Sequence, residues 1–203
     1  IDAQAIDVPP LFGIEHTEHP AVRYQRVAKN CATAFCPMLV RHMRHAYFSM
    51  ITALDEMVGR VMQQIDDLGL RDSTYIIFSS DHGEMAGEQN QVLKRCMYEA
   101  SAHVPLIICG PDVRQGAVVD EPVSLVDLYP TLMDMAGVNY QTLAGRPGFA
   151  EALDGESLMP QLTGNAPRQR AWAMAEYHGD RACTGTFMLR EDRWKLIRHM
   201  GFA

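Results

Sequence analysis

Two unbroken apolar runs, Tyr75–Phe78 and Val104–Cys109, constrain this chain more than any other feature of it. A strand with one wet face alternates apolar and polar residues, whereas a strand covered on both faces reads as a continuous apolar run. The runs therefore predict strands over Tyr75–Ser80 and Val104–Cys109, inside a sheet flanked by helices. Their surroundings agree. From Met43 through Tyr47, Met50, Leu54, Met57, Val61, Ile65 and Leu68 the apolar positions step by three or four, which predicts a helix over Met38–Leu68 that Gly69 stops. Asp72-Ser73 then turns the chain into the first run. Gly110-Pro111 closes the second. Ser124 and Asp127 have capping-box spacing and open a further helix that ends at Gly137. Helix, strand, loop, strand, helix is the order of an α/β layer with a mixed, largely parallel sheet.

Beyond Gly137 the character changes. Asn139–Arg170 is rich in Gly and Pro and reads as a long connection. Three short β-like runs follow, Trp172–Tyr177, Thr186–Arg190 and Trp194–Arg198, with Asp192 placed to turn the last two into a hairpin. This divides the chain into an α/β part over 1–165 and the start of a small antiparallel subdomain over 166–203. Ile1–Pro20 shows no period and reads as loop.

Composition removes several function classes. A net charge of −7 on 203 residues argues against a broad surface for nucleic acid or another polyanion. An anionic substrate would have to be gripped locally. No apolar run approaches the roughly 18 residues of a membrane span. Five scattered cysteines suggest neither a disulfide scaffold nor a zinc module. Cys31, Cys36, His42 and His45 have too short a middle spacer for a zinc finger. The methionines from Met43 to Met62 lie at helical spacing among Leu and Val, and read as core rather than as a partner-binding stripe.

The chemistry is expected where the first run ends. In open α/β sheets ligands collect at the carboxyl ends of strands, and Asp81 and His82 stand there. A carboxylate is a hard oxygen ligand; an imidazole can ligate a metal or hold a reacting group. Gly83 keeps a further side chain out of the turn. Lys94, His103 and the carboxylates Glu84, Glu88 and Glu99 follow in a polar stretch. Singly, Lys94 reads as a solvated surface charge, His103 equally as a packed loop residue, and the carboxylates as supports of the site or plain surface charge.

In combination they carry a resemblance. "IIFSSDHGE", "YEASAHVPLIICGP", "VSLVDLYPTLMDMAGV" and "DGESLMP", in that order, resemble the C-terminal half of a sulfatase, a family of the alkaline-phosphatase-like superfamily. "KNC" at Lys29–Cys31, "EYHG" and "FMLREDRWKLI" extend it from about Tyr24 to His199. The resemblance implies an alkaline-phosphatase-like α/β sandwich, incomplete in this chain. It implies a divalent metal, usually calcium, at Asp81 and His82, with His82 alternatively contacting the nucleophile. It matches Lys94 to a lysine that binds sulfate oxygens, His103 to a position near the substrate, and His178 to a substrate contact from the small subdomain.

The implied activity is hydrolysis of a sulfate ester of carbohydrate, with a 2-sulfated uronate of a glycosaminoglycan as the particular substrate, or of an aryl sulfate. The nucleophile in the family is a formylglycine made within a C-x-P-S-R motif. No such motif is present here: Pro directly follows Cys36 in "FCPMLVR", which is the wrong spacing. With only 80 residues ahead of Asp81, the expectation is a C-terminal fragment whose nucleophile lies upstream and which is inactive alone. The family implies a lysosomal or secreted protein, or a periplasmic one in a bacterium. Two alternatives share the scaffold: a phosphonate or phosphodiester hydrolase, and a non-catalytic relative that binds sulfated glycans.

Overall fold

The computed structural model describes residues 2–9, 18–164, 170–180 and 182–201. Its first helix, α1 (Pro20–Ala28), begins on the last residue of the stretch expected to be loop. Pro20 occupies the first helical turn, where its missing N–H costs nothing, and His19 caps it by accepting the Ala21 N–H on Nδ1 at 3.2 Å. A cap made by histidine is easily overlooked. The long helix α2 (Pro37–Asp67) follows the predicted period to within a residue, and Gly69 ends it with φ +66°, a conformation in which a Cβ is penalised.

Strands β1 (Ile76–Ser79) and β2 (Leu106–Cys109) form inside the two apolar runs and pair with each other, Ile76 opposite Cys109 and Ser79 opposite Leu106. The pairing is antiparallel. A parallel return needs a crossover helix, and the connection here is irregular apart from the single turn α3 (Glu99–Ala102). No parallel pair occurs among the described residues, so the expected parallel majority is not what these strands make. Nor are the strands covered on both faces: all four β1 residues are half-buried and Ile107 is 63% exposed.

The α2 stripe corrects the reading of Met43–Met62 as core. Val40 is the one fully buried residue of this helix, while Met50, Leu54, Met57, Val61 and Leu68 are all exposed. The period was real, but among the described residues only the start of α2 finds a surface to pack on. Val40 meets Gly87 there, so closely that a Cβ on Gly87 would lie 2.6 Å from Val40 Cγ1.

The densest packing lies instead under the polar loop after β1. Val22, Cys31, Val40, Met85, Cys96 and Met97 are buried together with the polar Asn90 and Gln91. A second packed region joins the helices α4 (Leu128–Met135) and α5 (Met159–Thr163). The predicted capping box is present: Asp127 Oδ2 accepts the Ser124 N–H at 2.8 Å. The Thr131 hydroxyl donates to the Asp127 carbonyl and accepts the Leu158 N–H, fixing the "DGES" segment to α4.

The C-terminal sheet is as predicted, β3 (Trp172–Tyr177), β4 (Gly185–Glu191) and β5 (Trp194–Met200), all antiparallel in the order β3-β4-β5. Asp192, at φ +46°, turns β4 into β5. This sheet is fastened to the rest by ion pairs: Lys195 to Glu99 at 2.6 Å, Arg95 to Asp180 at 3.2 Å, and Arg170 to Asp127 at 2.6 Å.

Candidate functional site

Asp81 lies two residues past the end of β1, at the carboxyl end of the strand. Its carboxylate is 84% exposed and accepts the His82 N–H at 3.0 Å, so the side chain curls back over its own turn. The His82 ring lies on the same side, Nε2 at 3.4 Å from Asp81 Oδ2, while Nδ1 is 2.8 Å from the Gly83 carbonyl. That carbonyl can only accept, which makes Nδ1 the donor and leaves Nε2 of a neutral ring with a lone pair beside Asp81. The two residues thus face one space. Among the described residues no lysine or arginine bonds to the Asp81 carboxylate, which leaves it available there as an oxygen donor to a divalent cation. Among the described residues no cluster of three or more His, Cys, Asp or Glu side chains forms a metal site. The fit is therefore that of a partial donor set, one carboxylate with one imidazole.

Gly83 is glycine because of close approach rather than of a left-handed backbone. It donates its N–H to the Ser101 carbonyl at 2.8 Å, and a Cβ would lie 2.1 Å from the Ala100 carbonyl oxygen. The contact clamps the Asp81–Gly83 turn against α3, the short helix that precedes His103.

Glu84 does the same for the next segment. Its Oε1 accepts the N–H of Ala86 at 3.1 Å and that of Leu93, and Met85 N–H donates to the Leu93 carbonyl at 2.9 Å. A carboxylate three residues after Asp81 therefore fixes the residue immediately before Lys94. Lys94 is half-buried, and among the described residues its ammonium makes no hydrogen bond or ion pair. It is a cation held in place by its backbone alone. Beneath the loop the Lys29 amine donates to Gln91 Oε1 at 3.0 Å, and burial pushes Lys29 below the ordinary lysine range.

His103 and His178 sit at the margin. His103 is 79% exposed, with Nδ1 at 3.2 Å from Glu99 Oε2. The Lys195 hydrogen bond holds the Glu99 carboxyl below the usual carboxylate range. His178 Nε2 lies 3.0 Å from Glu176 Oε2, and its ring meets Phe187 edge to face at 5.1 Å. Two residues further on, Asp180 pairs with Arg95, the neighbour of Lys94, so the His178 loop is anchored to the Lys94 loop. Glu84, Asn90 and Arg95 are the organisers the sequence did not single out. Only Glu84 left a signal there, as one carboxylate among several.

Comparison with known proteins shows the family and the fold. The Sulfatase family model matches residues 12–138, and the model described as N-sulphoglucosamine sulphohydrolase, C-terminal, matches 87–202. Arylsulfatase K of Danio rerio is 43% identical over 185 residues, covering 89% of this chain and 34% of that protein. The chain thus spans about a third of the length of the curated relatives it matches. Among solved structures, the phosphonate monoester hydrolase SpPMH from Silicibacter pomeroyi superposes with a TM-score of 0.82 at 26% identity, over 98% of this chain and 43% of that one. BT4656, solved in complex with its substrate D-glucosamine-2-N,6-O-disulfate, superposes with a TM-score of 0.64 at 26% identity, over 86% of this chain and 36% of that one. The fold is of the sulfatase and alkaline-phosphatase-like kind. Because the Sulfatase model covers more than half of the residues, and covers the strand end, the Asp81–Gly83 turn and the Lys94 loop together, the chain belongs to the sulfatase family.

Proposed function

We propose that the chain supplies one side of the active site of a sulfuric ester hydrolase acting on sulfated carbohydrate, with a 2-sulfated uronate of a glycosaminoglycan as the particular substrate. The observation that carries the reading is the Glu84 bridge, which ties a turn bearing Asp81 and His82 to a loop bearing a lysine that has no ion pair among the described residues. Asp81 and His82 are the residues that would hold a divalent cation, calcium by the oxygen character of the carboxylate. When bound, that ion supplies charge neutralisation at the ester oxygens. These 203 residues contain no C-x-P-S-R motif, so a formylglycine nucleophile would have to be supplied from elsewhere.

Lys94 has the part most accessible to physical argument. An ammonium at about 4 Å from a sulfate oxygen, at an effective dielectric near 20, contributes roughly 4 kcal/mol of attraction before desolvation. Because the loop is fixed before substrate arrives, that charge is preorganised toward the oxygens that gain charge in the transition state. His82, with Nε2 free to accept, is placed to hold a proton of the nucleophile if it is not a metal ligand. His103 and His178 would contact the remainder of the sugar, from the margin of 1–165 and from the small subdomain over 166–203. The arylsulfatase K relatives support hydrolysis of a sulfate ester, and the disulfated glucosamine bound by BT4656 supports a sulfated carbohydrate as the substrate.

The likeness to SpPMH supports a second reading, hydrolysis of phosphonate monoesters, since a tetrahedral anionic ester would meet the same cation and the same metal ligands. The two are separated by assaying the full-length protein with an aryl sulfate and an aryl phosphonate monoester side by side, with and without calcium. A higher kcat/KM for the sulfate supports the first reading. Preference for the phosphonate replaces it with the second.

A further inference from the structure

The loop that carries Lys94 is backbone-strained in an unusual way. Between Glu84 and Cys96, Ala86, Gln89, Asn90, Leu93 and Arg95 all have positive φ, from +45° to +78°, in addition to Gly87 at +90°. Non-glycine residues rarely adopt this region, and bulky ones such as Leu and Arg least readily. Leu93 at +64° and Arg95 at +78° flank Lys94 on both sides, so the lysine sits between two residues held in a disfavoured backbone region. Strain of this kind persists only where the surroundings over-determine it.

Several side chains bond into this loop, and Asn90 ties it to the rest of the fold most completely. Asn90 is fully buried and uses its whole amide. Its Nδ2 donates to the carbonyls of Cys31 at 3.2 Å and Thr33 at 2.9 Å, and its Oδ1 accepts the Phe35 N–H at 2.7 Å. These bonds satisfy three backbone groups in the connection between α1 and α2, more than fifty residues away in sequence. Asn is also the residue besides Gly that tolerates a left-handed backbone, here φ +50°. Glu84 secures the far end of the same loop at Leu93. Lys94 lies just beyond that point, and among the described residues no side-chain bond of its own holds it.

We propose that Asn90 is a positioning residue for Lys94: its amide, locked to the Cys31–Phe35 backbone, holds the left-handed loop in the conformation that presents the Lys94 ammonium to the anionic ester. This rests on the reading of Lys94 as the group that binds the ester oxygens. Asn90 touches neither substrate nor metal in this account. It acts only through Lys94, and that separates it from a residue whose loss merely loosens the fold.

The test is a double-mutant cycle in the full-length protein, read as kcat/KM on an aryl sulfate with thermal melting alongside. Asn90→Gly keeps the left-handed backbone accessible and removes the lock, leaving the Cys31, Thr33 and Phe35 backbone groups without it, which the melting curve reads. Expected is a loss of at least about tenfold in kcat/KM for Asn90→Gly, carried mainly by kcat. In a Lys94→Ala background, Asn90→Gly should bring less than about a twofold further loss, because the group it positions is gone. Full additivity of the two losses, or an unchanged kcat/KM in the single variant, overturns the proposal. If Asn90→Gly does not fold, Asn90→Asp goes through the same cycle with the same outcomes, since it keeps the acceptor for Phe35 and removes both donations. Near-normal turnover by Lys94→Ala alone overturns the reading beneath the proposal, and the single variant reports that separately.

Discussion

Arg170 meets Asp127 with Nη2 at 2.6 Å from Oδ1 and 2.9 Å from Oδ2, on a carboxylate that has no solvent exposure. The same carboxylate accepts the backbone N–H of Ser124 and of Glu156, and the guanidinium lies over the Trp172 ring at 5.1 Å. One ion pair thus joins the cap of α4, the "DGES" turn and the entry to the C-terminal sheet. Removing one partner of a buried pair leaves an uncompensated charge, which costs about 3–5 kcal/mol. Arg170→Ala is expected to lower stability by that order in denaturant titration. A change below about 1 kcal/mol would mean that the pair is solvated and not a fastening.

Gly83→Ala tests the clamp on the Asp81–Gly83 turn. The added methyl would meet backbone, the Ala100 carbonyl oxygen, and not a flexible side chain that can swing away. Overpacking of this kind costs about 1–3 kcal/mol, and the turn must shift to relieve it. The variant should lose kcat/KM by more than its melting temperature suggests, because Asp81 and His82 move with the turn. Unchanged kinetics would show that the turn does not carry the site.

Much of this was legible in local pattern. The period from Met43 to Leu68 with Gly69 behind it gave α2, the apolar runs gave β1 and β2, Ser124 and Asp127 gave the cap, and Asp192 gave the hairpin. Illegible features were those that depend on distant partners. Strand direction followed from the lack of a crossover helix between β1 and β2. Exposure of the α2 stripe followed from what lies opposite it, which no period reveals. In the site, Asp81, His82 and Lys94 were visible as residue types, and the closeness of Asp81 to His82 and the Glu84 bridge from their turn to the Lys94 loop were not. Asn90 and Gln91 resembled ordinary loop residues, since their partners at Cys31–Phe35 and Lys29 are some sixty positions away. A left-handed Leu93 or Arg95 has no sequence signature.

His19 and His199 stack at 4.5 Å between ring centroids, joining the start of α1 to β5. Burial, and then the neighbouring His19, holds His199 below the ordinary imidazole range. A histidine with a depressed folded pKa binds its proton more readily in the unfolded chain. Its contribution to stability is therefore present above the unfolded value of about 6.5 and is lost as pH falls through the lower folded value. Melting temperature should decline on acidification below about pH 6.5, before carboxylates titrate, and His199→Gln should flatten that decline. Equal slopes in the two proteins would remove the histidine pair as its cause.

The central claim is that Lys94 is a working cation and not a solvated surface charge. Its loop is held by Glu84 and Asn90 rather than by Lys94 itself, so truncation should spare the fold. The direct measurement is kcat/KM of the full-length Lys94→Ala variant on an aryl sulfate, with a melting curve beside it. The account predicts a loss of roughly a hundredfold or more, as expected when a preorganised contact to a developing charge is removed, at an unchanged melting temperature. Near-normal turnover by a folded Lys94→Ala protein would contradict it.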